Sequence, residues 1–298
     1  MIFSDMNGIV IVNQTLGHNE YKIKRFQEEF SKRNVALNVF VNDGSLSAIE
    51  NNEIIINLPK ADFVFYLDKD IYLARLLEKA GYRLFNRADF IKLCDDKMLT
   101  FIRCANEGIR MPKTISGPLV YTDLKPSNYD FLEKVVKELG LPLVVKKVYG
   151  SLGEGVYLVN TKEELIDLYT QIYRNPIIFQ EYIKSSYGKS IRVLIIDGKV
   201  FGSFIRKNPL DFRSNFGDNA SSRILENPQK YEAFAQKIAD KLQIEYAGID
   251  LLVYEDDEPI LCEINSNAFF EEFEKVTGLN VAEAVRDMVI RKVQHEQE

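Results

Sequence analysis

Leu143-Val144-Val145-Lys146-Lys147-Val148-Tyr149-Gly150-Ser151-Leu152-Gly153-Glu154-Gly155-Val156 is the stretch on which the fold turns. An apolar run of strand character delivers Lys146. A turn holding three glycines follows, and a second apolar run starts at Val156. Glycine lets a backbone approach an anion closely and lets successive N–H groups converge on it. A lysine beside such a turn suits a phosphate. A plain hairpin with glycines satisfies the same letters. Two familiar phosphate loops do not fit. Gly188-Lys189-Ser190 has the tail of a Walker-type loop, but Ile183 stands where that loop needs glycine. Gly150, Gly153 and Gly155 lack the dinucleotide-binding spacing.

Upstream, strands alternate with helices. Gly8–Val12, Val35–Val41, Glu53–Leu58 and Phe63–Leu67 read as strands, His18–Arg33 and Asp70–Ala80 as helices. This alternation predicts a parallel or mixed α/β sheet over residues 1–85. That region has no phosphate-binding glycine pattern and reads as scaffold and a wall for substrate. Residues 86–110 predict one or two helices, Thr122–Asn128 a polar loop, and Phe131–Leu139 a helix closed by Gly140. After Val156–Asn160, Thr161 with Glu164 forms a capping-box pattern. Ile177–Ile183 predicts a strand. Ser190–Ile196 and Lys199–Ile205 predict a hairpin about Asp197-Gly198. Pro209–Asn227 is polar and aperiodic. A helix over Tyr231–Leu242, a strand pair Ala247–Tyr254 with Pro259–Ile264, and a last helix over Val281–Val293 complete the reading.

Glu263-Ile264-Asn265 places two oxygen ligands at i and i+2, hence on one strand face. Asp250 sits on the preceding strand within Ala247-Gly248-Ile249-Asp250-Leu251-Leu252-Val253. A carboxylate embedded in apolar sequence needs a partner. Asp250, Glu263 and Asn265 together suit Mg²⁺, which prefers a few carboxylates plus phosphates and water; a solvated acidic edge is the alternative. Arg192 and Arg206 lie in apolar strands, where a guanidinium needs an anion. Either a substrate or an Asp/Glu side chain can supply it. Arg213 stands in Asp211-Phe212-Arg213-Ser214-Asn215. The backbone at Gln180-Glu181-Tyr182-Ile183, at a strand end, can pair with an adenine edge or simply end a strand.

The 298 residues, 46% hydrophobic and 28% charged, predict a soluble globular chain of two or three lobes. A net charge of −6 repels nucleic acid overall, while leaving room for a local basic cleft. No stretch is long and apolar enough for a membrane span. Met1–Asp5 lacks a basic region before an apolar run, so no signal peptide is expected. Cys94, Cys104 and Cys262 form no CxxC pair and predict reduced thiols in the cytoplasm. His18 and His295 are the only histidines, which disfavours triad catalysis and histidine-rich metal sites. The oligomeric state stays open, a homo-oligomer included.

In order and spacing these motifs resemble the ATP-grasp superfamily and, within it, the RimK-like α-L-glutamate ligases. The resemblance runs from about Asn86 to Ala284. Asp96-Lys97 and Gly108-Ile109-Arg110-Met111-Pro112-Lys113-Thr114 are similar to that family's opening segment. The glycine stretch, Ile191-Arg192-Val193, Asp211–Asn215, Ala247–Asp250 and Glu263–Asn265 follow in its order. The resemblance implies an ATP-grasp fold with three segments: an N-terminal α/β domain over 1–85, a small lobe over 86–184 and a C-terminal lobe over 185–298. It places ATP between two lobes. It implies ATP phosphates on Lys97, Lys146 and the loop of Ser151, Gly153 and Gly155, adenine at Gln180–Ile183, and a ribose-side contact at Ser190. It implies Mg²⁺ or Mn²⁺, as two ions, on Asp250, Glu263 and Asn265. Arg192, Arg206 and Arg213 would act on substrate. The implied reaction joins a carboxylate to an amine through an acyl phosphate, adding an amino acid such as glutamate to a peptide, protein or small molecule. Dipeptide or glutathione-like synthesis, or nucleotide binding without catalysis, are the alternatives. Three stretches depart from the family's pattern: Ser190 replaces an aspartate, Ser266-Asn267-Ala268-Phe269 replaces Ala-Ser-Pro-Gly, and Phe216-Gly217-Asp218-Asn219 lacks the usual glycines. These departures lie where the acceptor sits in that family.

Overall fold

The computed structural model describes residues 6–14, 19–122, 124–126 and 128–297. The expectations for Met1–Asp5 and for a helix start at His18 fall outside them. In chain order the elements are β1 (Asn7–Asn13), α1 (Glu20–Ser31), β2 (Ala36–Asn42), β3 (Ser47–Glu50), β4 (Glu53–Ile56), β5 (Phe63–Leu67), α2 (Ile71–Lys79), β6 (Leu84–Phe85), α3 (Ala88–Asp95) and α4 (Lys97–Cys104). There follow β7 (Thr114–Ser116), α5 (Asp130–Leu139), β8 (Leu143–Lys147), β9 (Val156–Val159), α6 (Lys162–Ile172) and β10 (Ile177–Glu181). The last part holds β11 (Lys189–Ile196), β12 (Lys199–Lys207), β13 (Ser221–Ile224), α7 (Gln229–Leu242), β14 (Tyr246–Val253), β15 (Pro259–Asn265), α8 (Glu271–Thr277) and α9 (Val281–Gln297).

The first sheet has the order β2-β1-β5-β6 and is parallel throughout. Its central strands β1 and β5 are continuous apolar runs buried on both faces, as a helix-covered parallel sheet requires. Strand periodicity divides them. Val10 and Val12 pack toward Phe26 and Phe30 of α1 and Val285 and Val289 of α9. Ile9 and Ile11 pack toward Leu73 and Leu77 of α2 and Ile91 of α3. The C-terminal helix therefore closes the first sheet. The run at Glu53 does not join that sheet. It pairs antiparallel with β3 as a separate hairpin.

The second sheet, β7-β10-β8-β9, is antiparallel. Leu143 and Val145 face the core shared with α5 and α6, so period two sends Val144 and Lys146 to the opposite face. Thr161 caps α6, accepting from Glu164 N at 3.2 Å, while the Glu164 carboxylate reaches Asn160 N at 2.8 Å. The third sheet runs β13-β12-β11-β14-β15, also antiparallel. Ile191, Val193 and Ile195 pack with α7. On the other face Leu194 and Ile196 pack toward α8 and α9, and Ser190 and Arg192 are left to face a cavity. The polar Pro209–Asn227 stretch holds the exposed edge strand β13. α8 was not expected either: its seven residues are too few to show a helical period.

Candidate active site

A cavity of about 950 Å³ is lined jointly by the second and third sheets, the glycine turn, α1 and the segment after β15. On its second-sheet wall, Lys146 Nζ lies 3.9 Å from Cys262 Sγ. Lys97 begins α4, and its buried ammonium donates to Gly150 O at 2.9 Å and Val148 O at 3.3 Å. Burial lowers its pKa, Lys146 and Lys69 add to the shift, and Glu263 opposes it. Ser151 and Gly153 line the cavity, whereas Gly155 does not: its carbonyl accepts from Lys147 N at 2.8 Å and its Cα faces the Lys147 side chain. Gln180 is buried and donates to Thr114 Oγ1 at 2.8 Å. Glu181 N donates to Lys113 O, and Ile183 O accepts from Ser186 N. Among the described residues the N–H groups of Tyr182 and Ile183 have no backbone acceptor, so they are the donors this edge can offer a base.

The third-sheet wall centres on Asp250, directly opposite Arg192 on β11 and Glu263 on β15. Arg192 grips it with a two-pronged contact, Nε to Oδ1 and Nη2 to Oδ2, each 2.6 Å. Asn265 Nδ2 donates to Asp250 Oδ2 at 3.1 Å, and Arg206 Nη1 lies 3.6 Å from Oδ1. Burial pushes the Asp250 carboxyl upward, but Arg192, Arg206 and Asn265 outweigh it and hold it below the ordinary value. Arg206 also donates to Glu272 Oε2 through Nε and Nη2, at 2.9 and 2.5 Å. Arg213 pairs with Asp211 at 2.8 Å, donates to Gly153 O at 3.1 Å and stacks 3.4 Å from the Phe216 ring centroid. All three arginines thus have carboxylate partners within the chain.

A bulge decides the last strand's aim. Asp250 pairs with Glu263 but Leu251 pairs with Leu261, leaving Cys262 as the extra residue. Both Cys262 and Glu263 then line the cavity. Burial raises the Cys262 thiol's pKa against the pull of Lys146. The donor set fits a hard divalent cation. Among the described residues no hydrogen bond or ion pair engages the Glu263 carboxylate, and Asn265 donates through its nitrogen, leaving its oxygen to accept. No group of three His, Cys, Asp or Glu side chains gathers there among those residues, so nucleotide phosphates and water would complete the shell.

The family model of the RimK-like ATP-grasp domain matches residues 94–289. The chain belongs to the RimK-like ATP-grasp family. It is 32% identical to beta-citrylglutamate synthase B of Danio rerio over 84% of this chain and 62% of that protein. It is 33% identical to human N-acetylaspartylglutamate synthase A over 74% of this chain and 55% of that one. It therefore spans less than two thirds of the length of these relatives. A RimK domain ATP-grasp protein of Sphaerobacter thermophilus has the same fold, with a TM-score of 0.71 at 18% identity, covering 95% of this chain and 99% of its own. The α+β ATP-grasp fold expected from the motifs is the fold observed.

Where this RimK-like chain departs from the family's pattern, the structure gives the local substitutes. Ser190 Oγ is 2.5 Å from Ser214 Oγ, a neutral pair inside the cavity wall. Asn267 takes the Lys22 ammonium on its side-chain oxygen and donates to Leu67 O at 3.1 Å. Lys22, Cys262 and Glu272 were not expected in the site. A lysine set on the same helix face as Phe26 and Phe30 was the legible sign of the first; the other two needed the bulge and α8.

Proposed function

We propose that the protein is an ATP- and Mg²⁺-dependent carboxylate–amine ligase that joins glutamate, or an amino acid like it, to a carboxylate acceptor. One observation carries this reading: a single cavity gathers Lys97, Lys146, the glycine turn, the Tyr182–Ile183 edge, the Asp250–Glu263–Asn265 set and two buried arginines. The names of the relatives, both synthases of glutamate conjugates, support the choice of amine. Its place is the cytoplasm. Three free cysteines support that, and no helix of the described residues is long and apolar enough to cross a membrane. The three larger sheets, one in each segment, support the division of the chain at 85/86 and 184/185.

Lys97 and Lys146 bind and orient the ATP phosphates. The substrate carboxylate attacks the γ-phosphorus, the bond to the β-bridging oxygen breaks, and ADP leaves. The amine then adds to the acyl carbon, phosphate departs with the former carboxylate oxygen, and the amine loses a proton. Asp250, Glu263 and Asn265 would hold Mg²⁺, which supplies charge neutralisation at the phosphates. Arg206, which lines the cavity beside Arg192, stabilises negative charge as it develops on the acyl phosphate. Closure of the 150–155 turn keeps water from that intermediate. No protein nucleophile is required.

The test is ADP and phosphate release with Mg-ATP across amino acids and mono-, di- and tricarboxylates, with mass spectrometry of products. A product lighter by one water than the sum of acid and amine, formed with ADP, is the expected result. Lys146→Ala and Glu263→Ala should abolish turnover and leave the fold intact. Full activity in either variant would remove the assignment.

A further inference from the structure

The buried face of α1 carries Lys22, Phe26, Glu29 and Phe30. Two of these are charged, and the fold treats them oppositely. Glu29, 1% exposed, meets Lys32 at 2.8 Å, Asn280 at 2.9 Å and Arg286 at 3.2 Å. Lys22 is equally buried, yet among the described residues no carboxylate lies within ion-pairing distance of its ammonium. Its contacts are neutral: Asn267 Oδ1, Ala268 O at 3.5 Å, and the Phe269 ring, whose centroid is 5.0 Å away. Burial alone drives its pKa down to about 7.

An ammonium taken out of water without a counter-charge is unfavourable, and removing it for an apolar side chain of similar volume would relieve the cost. Among the described residues no carboxylate offsets it, only the neutral contacts of Asn267, Ala268 and Phe269. What the position does have is a place in the wall of the cavity that also holds Arg206, Glu263 and Asn265. Asn267, its partner, follows Asn265 by two residues on the same segment. The groups proposed to handle phosphate and the reacting carboxylate stand on the second and third sheets, the glycine turn and α4, whereas Lys22 enters from α1.

We propose that Lys22 is a specificity-determining residue that binds a second substrate carboxylate, distinct from the one activated, so that the site selects a di- or polycarboxylate. A carboxylate there supplies the missing counter-charge to a buried ammonium, where such a contact is strong. The inference rests on the ligase reading. The second carboxylate belongs either to the acid that is activated or to the amino acid that attacks it, and the chemistry at Lys22 is the same for both.

Isothermal titration with the full chain tests it, in the presence of ADP and Mg²⁺. The probes are N-acetylaspartate, citrate and glutamate, with the amides N-acetylasparagine and glutamine as controls. The proteins are wild type, Lys22→Met and Lys22→Gln, the last keeping a neutral hydrogen-bonding group. At least one polycarboxylate should bind wild type, and both variants should bind it about tenfold or more weakly, as loss of a charge-assisted contact implies. The matching amide should bind wild type weakly and be indifferent to the substitution. Dependence seen with N-acetylaspartate or citrate assigns Lys22 to the acid, and dependence seen with glutamate assigns it to the amine. Equal binding of every carboxylate to wild type and variants, or no binding of any, overturns the proposal. Binding of ADP and Mg²⁺ is titrated separately and should be unchanged by either substitution. Its absence from wild type would instead remove the ligase reading on which the proposal stands.

Discussion

A methyl group on Gly248 would sit 2.8 Å from Arg192 Nη1 and 3.1 Å from Ala268 Cβ. Arg192 cannot yield without loosening its two-pronged hold on Asp250. Gly248→Ala is therefore expected to lower turnover on the order of 100-fold, the scale of a small misplacement of reacting groups. It should also cost about 1–3 kcal/mol in denaturant unfolding, as overpacking does. Lys22 gives a prediction of opposite sign. Its folded pKa, down to about 7, lies below the unfolded 10.5. Below about pH 7 the buried ammonium weighs fully against folding. Between 7 and 10.5 the unfolded chain binds more protons, so the penalty fades as pH rises. Lys22→Met should thus stabilise the protein by a few kcal/mol at or below pH 7, with a ceiling of roughly 1.4 kcal/mol for each pH unit between the two values. The gain should vanish near pH 10.5. Equal unfolding of wild type and variant at pH 6 would contradict this. The oxygen ligands and phosphate lysines were legible as residues because their neighbours in sequence set their faces. For Lys22 the apolar helix face was legible but the lack of a counter-charge was not, because that depends on residues about 245 positions away.

At the scale of elements, the glycine turn between β8 and β9 shows why its sequence was readable. Gly150, Gly153 and Gly155 take φ values of +139°, +79° and +71°, a region closed to most side chains, and only glycine holds all three cheaply. What tethers the turn was not readable. Arg213, on the polar stretch before β13, reaches Gly153 O, and Lys97 reaches Gly150 O. Arg213→Ala removes one charged hydrogen bond from the turn, worth roughly 1.5 kcal/mol. The Michaelis constant for ATP should rise about tenfold, and amide exchange in residues 150–155 should quicken while Tm stays near that of wild type. Unchanged exchange would show that the tether is idle. The bulge at Cys262 was hidden for a related reason. Period two along Pro259–Ile264 is consistent with an unbroken strand, and only pairing with β14 reveals the extra residue. β13 is an exposed polar edge without hydrophobic alternation, so its sequence carries no strand signal.

Across the whole molecule, the first and last helices among the described residues meet. α9 packs on α1, and Arg286 reaches Glu29 across 257 residues of sequence. Residues 1–85 were legible as a parallel α/β unit from their alternation, yet the helix that closes its sheet comes from the far terminus. Such a pairing follows from topology and leaves no local mark. Arg25 strengthens the join through Glu274 at 3.1 Å and Asn280 at 2.7 Å. Arg286→Met leaves a buried carboxylate short of one cation. Lys32, Arg25 and Asn280 remain, so the expected loss is about 3 kcal/mol, the lower end for breaking a buried pair. The exposed pair Arg75–Asp89 is the control, and Arg75→Met should change stability by less than about 1 kcal/mol. Acid gives an independent check. Burial alone would raise the Glu29 pKa, but Lys32, Asn280 and Arg25 outweigh it and hold it below 4.5. Its contribution is therefore present above that value and is lost as pH falls through the lower folded pKa. The deficit of Arg286→Met should be full at pH 7 and should close in acid, once Glu29 is protonated in wild type and variant alike. A deficit that persists undiminished at pH 2 would mean that Arg286 holds α9 through its packing, not through the charge of its carboxylate partners.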